Sequence, residues 1–211
     1  MRRLLVVIAF LLAGCASVPD LPPVADPQAT WQSRQARLGD LAAWELRGRL
    51  ALRAENEGAH ASLHWVRQGE AHRLSLAGPF GGGRVRVAFD ADGAELREAN
   101  GNVHYDESAQ GLLARATGWW LPVEDLNFWV LGLPAPGSRA RTELDARGRL
   151  RVLEQQGWRI EFLEYAVVSG YELPRRLFVR RTADAAADHG RLEARIAIEQ
   201  WTLPVPGTRM P

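Results

Sequence analysis

The chain has no lysine, two methionines and a single cysteine among its 211 residues, and its formal charge is only +1. With one thiol, neither an intrachain disulfide nor a cysteine metal site can form within one chain. So small a charge implies no strongly basic face and argues against nucleic acid as a partner. All 26 basic residues are arginine, which reads as compositional bias, because arginine at scattered surface positions is ordinarily solvated charge. Long hydrophobic runs are also lacking. The longest, Leu4 to Leu12, is too short to span a bilayer.

That short run has a context. Arg2 and Arg3 precede it and Leu12-Ala13-Gly14-Cys15 closes it, the order of a charged start, an apolar stretch and a small-residue cleavage site. This is a lipobox, so residues 1–14 are expected to be removed and Cys15 to become a lipidated N-terminus. Losing Arg2 and Arg3 takes the charge from +1 to −1. At about 0.8 kcal/mol per buried methylene, two or three acyl chains hold a protein to a membrane almost permanently. Ala16 follows the cysteine where an aspartate would signal retention at the inner membrane, so the outer membrane is expected. Residues 15–25, rich in proline and small side chains, read as an extended tether of about 3 Å per residue. Residues 26–211 suit a single domain.

Within that domain Asp26-Pro27 starts a helix carrying Trp31, Leu38 and Leu41. Alternation then takes over: Trp44, Leu46, Leu50 and Leu52 share one parity against Glu45, Arg47, Arg49 and Arg53, the mark of a strand with one dry face. It recurs at Leu63 and Trp65, at Leu74 and Leu76, and at Val85, Val87 and Phe89, with turns at Asp92-Gly93 and Asn100-Gly101. A helix capped by Asp106 or Ser108 turns Leu112, Leu113 and Ala116 inward and ends at Gly118. A third begins at Pro122, places Leu126, Trp129 and Val130 on one face and stops at Gly132-Leu133-Pro134. Strands resume at Leu144, across the Arg147-Gly148 turn at Leu150 and Val152, then at Trp158, Ile160 and Phe162, at Leu177 to Val179, and from Leu192 to Ile198, with the parity breaking at Trp201. Ala183 to Gly190 reads as a loop. Many short strands with one apolar face and three helices give a mainly β fold, a curved antiparallel sheet partly covered by helices.

Leu74-Ser75-Leu76-Ala77-Gly78-Pro79-Phe80-Gly81 followed by an alternating strand resembles a segment of the outer-membrane lipoprotein receptors of the LolB family. So do Trp119-Trp120-Leu121-Pro122-Val123 with Leu126, Trp129 and Leu131 to Pro134, the early Arg47-Gly48-Arg49-Leu50 strand and the late Trp158 and Ile160 strand. The resemblance implies an unclosed antiparallel β-barrel whose helices cover an apolar cavity, and no cofactor. It further implies an outer-membrane anchored acceptor, facing the periplasm, that takes lipoprotein cargo from a LolA-like periplasmic carrier, holds the acyl chains and inserts them into the membrane. Strand and helix parity then nominate cavity residues: Trp44, Leu46, Leu50, Leu63, Trp65, Leu74, Leu76, Val85, Val87, Trp129, Trp158, Ile160 and Phe162.

Pro79, Phe80 and Gly81 match the family's membrane-insertion loop, with Phe80 where the family has leucine and Gly78 where it has asparagine. Phe80 either protrudes, forgoing about 1.5 to 3 kcal/mol of burial, or folds back onto the core. The glycines after it are no phosphate loop, since a strand follows and no Gly-Lys-Ser/Thr element is present. His60 and His64, about 13 Å apart along a strand, cannot share a metal ion. Glu124 and Asp125 read as charge complement to a helix N-terminus, and no nucleophile, base and orienting acid converge, so no catalysis is expected. The rival reading is an assembly lipoprotein of the outer membrane with a filled core and no transfer activity.

Overall fold

A computed structural model describes residues 22–54, 57–78 and 83–204. Helix α1 (Pro27–Gly39) begins where the sequence places it: the Asp26 carboxylate accepts from the Gln28 and Ala29 amides at 2.9 Å, and proline needs no partner at the first helical position. Eleven strands follow in one antiparallel sheet among the described residues. They are β1 (Ala43–Ala54), β2 (Glu57–Gln68), β3 (Ala71–Ala77), β4 (Arg84–Asp90), β5 (Gly93–Glu98) and β6 (Val103–Asp106), then β7 (Ala140–Leu144), β8 (Leu150–Gln155), β9 (Trp158–Val168), β10 (Tyr171–Arg181) and β11 (Glu193–Thr202). The spatial order is β6-β5-β4-β3-β2-β1-β11-β10-β9-β8-β7, so β1 pairs with β11 to join two meanders and β6 and β7 are the free edges of an unclosed barrel.

Between the meanders lie α2 (Ala109–Thr117) and α3 (Val123–Trp129). Ser108 caps α2, accepting from Gly111 N at 3.2 Å, and Gly118 ends it at φ 77°. Ala109, Leu112 and Leu113 are its buried residues, while Ala116 is exposed, contrary to its expected inward position. Pro122 is the residue preceding α3 rather than its first helical residue. Gly132, at φ 78°, turns the chain out of it. Residues 183–190 are a further correction: Ala183–His189 form helix α4, since alanine is the strongest helix former and Gly190 can end the run.

The parity break before Trp201 has a backbone cause. Arg47 pairs with Gln200 and Gly48 with Ile198, which leaves Glu199 as an extra residue, a β-bulge that returns Trp201 to the interior. Gly48 sits at that point because a Cβ there would lie 2.1 Å from the Ala197 carbonyl oxygen.

Part of the expected tether belongs to the body. Val24 N donates to Ala146 O at 2.9 Å, and Arg147 Nη1 donates to Pro22 O at 3.1 Å. The same turn gathers Arg147 and Arg149 around Glu172, which also receives Arg34 of α1 at 2.8 Å. The chain before α1 is therefore fixed at the end of the sheet that carries the β7–β8 turn.

Candidate functional site

The interior of the barrel is solid at one end and hollow at the other. At the solid end Trp44 packs edge-on to Trp65 at 5.4 Å and to Trp201 at 5.7 Å, and His72 stacks on Phe89 at 4.6 Å. One register row, from Trp201 of β11 through Leu46, Trp65, Leu74, Val87 and Leu96 of the first meander, forms the upper limit of this cluster. Beyond that row, toward the β1–β2 and β3–β4 turns, side chains no longer fill the space. There an apolar cavity of about 200 Å³ opens.

Its floor is Trp65 and Leu74, and its walls are the next inward rows: Leu63, Leu76 and Val85, then Leu50, Ala61 and Ile196, then Leu52, Ala59 and Ala194. The roof comes from the helices, with Leu113 and Thr117 of α2, Val123 and Leu126 of α3, Val130, and the connection through Trp119 and Leu121. His60 and Thr117 bring the polar side chains to this lining. Both are peripheral in chemistry, since the walls offer nothing that would pair with charge.

Of the residues nominated from the sequence, Leu50, Leu63, Trp65, Leu74, Leu76 and Val85 line this hollow. Trp44, Leu46, Val87, Trp129, Trp158, Ile160 and Phe162 do not; they are buried in packed core. Trp44 lies in the aromatic plug, and Leu46 and Val87 lie in the floor row to either side of Trp65 and Leu74. On the second meander the space above Trp158, Ile160 and Phe162 is taken by the protein itself. Trp129 of α3 donates from Nε1 to Gln155 Oε1 at 3.0 Å, and Gln155 also accepts from Ala135 N at 2.9 Å and donates to Ala135 O at 2.7 Å. This buried amide fastens the roof helix to β8. Of the helical lining residues, the sequence pattern turns Leu113, Leu126 and Val130 inward without assigning them to the cavity, while Thr117, Trp119, Leu121 and Val123 lie at helix ends and in the connection, where periodicity gives no face.

Cys15 and the loop residues Pro79, Phe80 and Gly81 lie outside the described residues. The loop's flanks do not: Gly78 and Gly83 both line the cavity, and Gly78 N faces Gly83 O at 3.5 Å. The β3–β4 hairpin thus springs from the cavity rim. Trp120, beside the lining Trp119, is 53% exposed, and its carbonyl accepts from Arg181 Nη2 at 3.1 Å. Among the histidines, His64 pairs with Glu45 at 2.9 Å and His60 is exposed. Among the described residues no group of three or more His, Cys, Asp or Glu side chains is placed to hold a metal ion.

The family profile of Outer membrane lipoprotein LolB matches residues 42–201, which takes in all of the sheet but its last residue, Thr202, and every lining residue above. The chain belongs to the LolB family. Outer-membrane lipoprotein LolB of Nitrosococcus oceani is 38% identical over 194 residues, covering 92% of each chain. The LolB of Stutzerimonas stutzeri is 37% identical over 172 residues, covering 81% of this chain and 84% of its own. A solved structure described as an outer membrane lipoprotein-sorting protein domain from Vibrio parahaemolyticus superposes with a TM-score of 0.55 at 12% identity, over 86% of this LolB-family chain and 93% of its own. A DUF1329 family protein from Desulfovibrio piger gives 0.51 at 10% identity, over 88% and 96%. At such identities these structures speak for the fold of a LolB-family protein, the open curved sheet with helices inside it.

Proposed function

We propose that this protein is an outer-membrane lipoprotein receptor that accepts lipoproteins from a LolA-like periplasmic carrier, holds their acyl chains in the hollow end of its barrel and releases them into the outer membrane. The observation that carries this reading is the apolar cavity opening at the rim from which the β3–β4 hairpin springs. An acyl chain exposed to water costs about 0.8 kcal/mol per methylene. Cargo must therefore pass between enclosed apolar surfaces, mouth to mouth.

At about 200 Å³ the cavity is smaller than the roughly 300–1,000 Å³ that enclose a drug-sized ligand. Occupation by acyl chains requires the roof to lift. The roof is suited to that, because Leu113, Val123, Leu126 and Val130 meet the sheet through non-directional apolar contact, while α3 stays hinged to β8 through Gln155. Acyl chains entering between roof and sheet replace the contacts they separate. Direction comes from ascending affinity, carrier to cavity to bilayer, since a transfer runs toward the state that binds better.

Cys15 as lipidated N-terminus and Phe80 as the residue that leads the hairpin into the bilayer complete the reading. The test is transfer of a radiolabelled lipoprotein from purified carrier to this protein and onward to vesicles. Label that moves to the protein and then to lipid supports the function. Label that stays on the carrier at every ratio of the two proteins refutes it.

A further inference from the structure

On the sheet's outer face, behind the cavity, the register assembles cations, contrary to the expectation from net charge of no strongly basic face: a near-zero sum leaves the placement of each sign open. Arg49, Ser62, Ala77 and Arg84 form one row across β1 to β4, and Ala51 stands between His60 and Arg195 in the next. The small side chains Ala51, Ser62 and Ala77 floor a groove of about 610 Å³ whose walls carry Arg49, Arg84 and Arg195 and whose end reaches Gly78 at the hairpin rim. Arg86, exposed one pair further along β4, faces Arg97 directly across the ladder. Like charges so placed destabilise a sheet.

Carboxylates answer only some of this charge. Glu199 pairs with Arg49 at 2.6 Å, Glu45 with Arg47 at 2.8 Å, and Glu95 with Arg97 at 2.8 Å. Among the described residues Arg84, Arg86 and Arg195 make no ion pair; Arg195 lies over the Phe178 ring at 5.3 Å. We propose that this outer basic face is a membrane-docking surface that seats the phosphates of anionic phospholipid headgroups beside the cavity rim, an inference that rests on the receptor reading above.

The anchor's reach points to the same occupant. From Cys15 to Pro22 the chain spans at most about 25 Å, and Pro22 is held at the β7–β8 end, opposite the hairpin rim. β1 alone, with 12 residues at about 3.3 Å each, is roughly 40 Å long. Anchor and rim therefore meet one bilayer only when the strands lie over toward it. Of the faces such a tilt can lower, the outer face of β1 to β4 is the one that adjoins the hairpin rim and carries the unpaired arginines.

The test uses the full mature chain without its leader and with Cys15→Ala, so that lipidation does not mask the surface. Flotation with vesicles of phosphatidylcholine alone, or with about a third phosphatidylglycerol, should show strong preference for the anionic lipid, weakening as salt is raised. Arg84→Gln should lower that binding about fivefold, the effect of one arginine near an anionic surface. Arg84→Gln/Arg86→Gln/Arg195→Gln should bring it to the phosphatidylcholine level, while the triple Arg→Lys variant keeps it. Arg141→Gln, exposed on the far edge strand, should change nothing. Equal binding by wild type and the triple Gln variant, or no lipid preference in wild type, overturns the proposal. So does a triple variant that binds vesicles normally but no longer accepts cargo from the carrier in solution, which would assign the face to that protein. Uptake of a fluorescent fatty acid is read in parallel: wild type that docks on lipid but takes up no probe fails the receptor reading and not this one.

Discussion

Gln155→Leu tests how the cavity roof is held. The Gln155 side chain is 3% exposed and satisfies the Trp129 indole, the Ala135 amide and the Ala135 carbonyl. Leucine fills a similar space and satisfies none of them. Each buried group left without a partner costs about 1–3 kcal/mol, so the loss should be about 3–6 kcal/mol after partial relaxation. For a domain of this size that lowers Tm by roughly 6 to 24 °C, readable by circular dichroism or calorimetry. Trp129→Phe removes one of the three demands, and Gln155→Leu/Trp129→Phe should fall short of additivity by about 1 kcal/mol, since the orphaned indole donor is gone. A Tm change under about 2 °C for Gln155→Leu would refute the clamp, and strict additivity would refute its contact with Trp129.

His72, buried beside Phe89 and near Arg67, has its pKa pushed down to about 4, first by burial and then by the Arg67 charge. A folded-state pKa below the unfolded value of 6.5 means that its contribution to stability is intact above pH 6.5 and is lost as pH falls toward 4, by about 3 kcal/mol at most; urea melts across that window check it, and His72→Phe should flatten the dependence. Gly48→Ala drives a methyl group into the Ala197 carbonyl of the adjoining strand and should cost about 1–3 kcal/mol or more in chemical denaturation, as overpacking does. Phe80→Glu should leave acceptance of cargo intact and impair its release into vesicles; normal release would remove Phe80 from the mechanism.

The alternating runs exposed the sheet in the sequence because one face of each strand is dry, and turn glycines and the Asp26 cap marked the ends. Parity reports a face and says nothing of depth along the barrel. Leu46 and Leu50 share a strand and a face, yet one lies in the floor row and the other on the cavity wall. What separates them is the plug of Trp44, Trp201, His72 and Phe89, drawn from β1, β11, β3 and β4, which the pattern of no single strand shows. The hold of Arg147 on Pro22 escaped for the same reason, joining residues 125 apart in the chain. Helix α4 is different: its alanines, Asp184 in the first turn and Gly190 after the end were legible signals of a helix.

In the proposed transfer, acyl chains occupy the hollow end of the barrel and not its filled half. The most direct measurement is photo-crosslinking with a cargo lipoprotein that carries a diazirine on its acyl chain, followed by mass spectrometry of the labelled peptides. Adducts are expected on cavity residues such as Leu63, Leu76, Leu126 and Ile196 and none on Trp158, Ile160 or Phe162. Adducts confined to β9, or to the outer face, in a protein that still accepts cargo would contradict it.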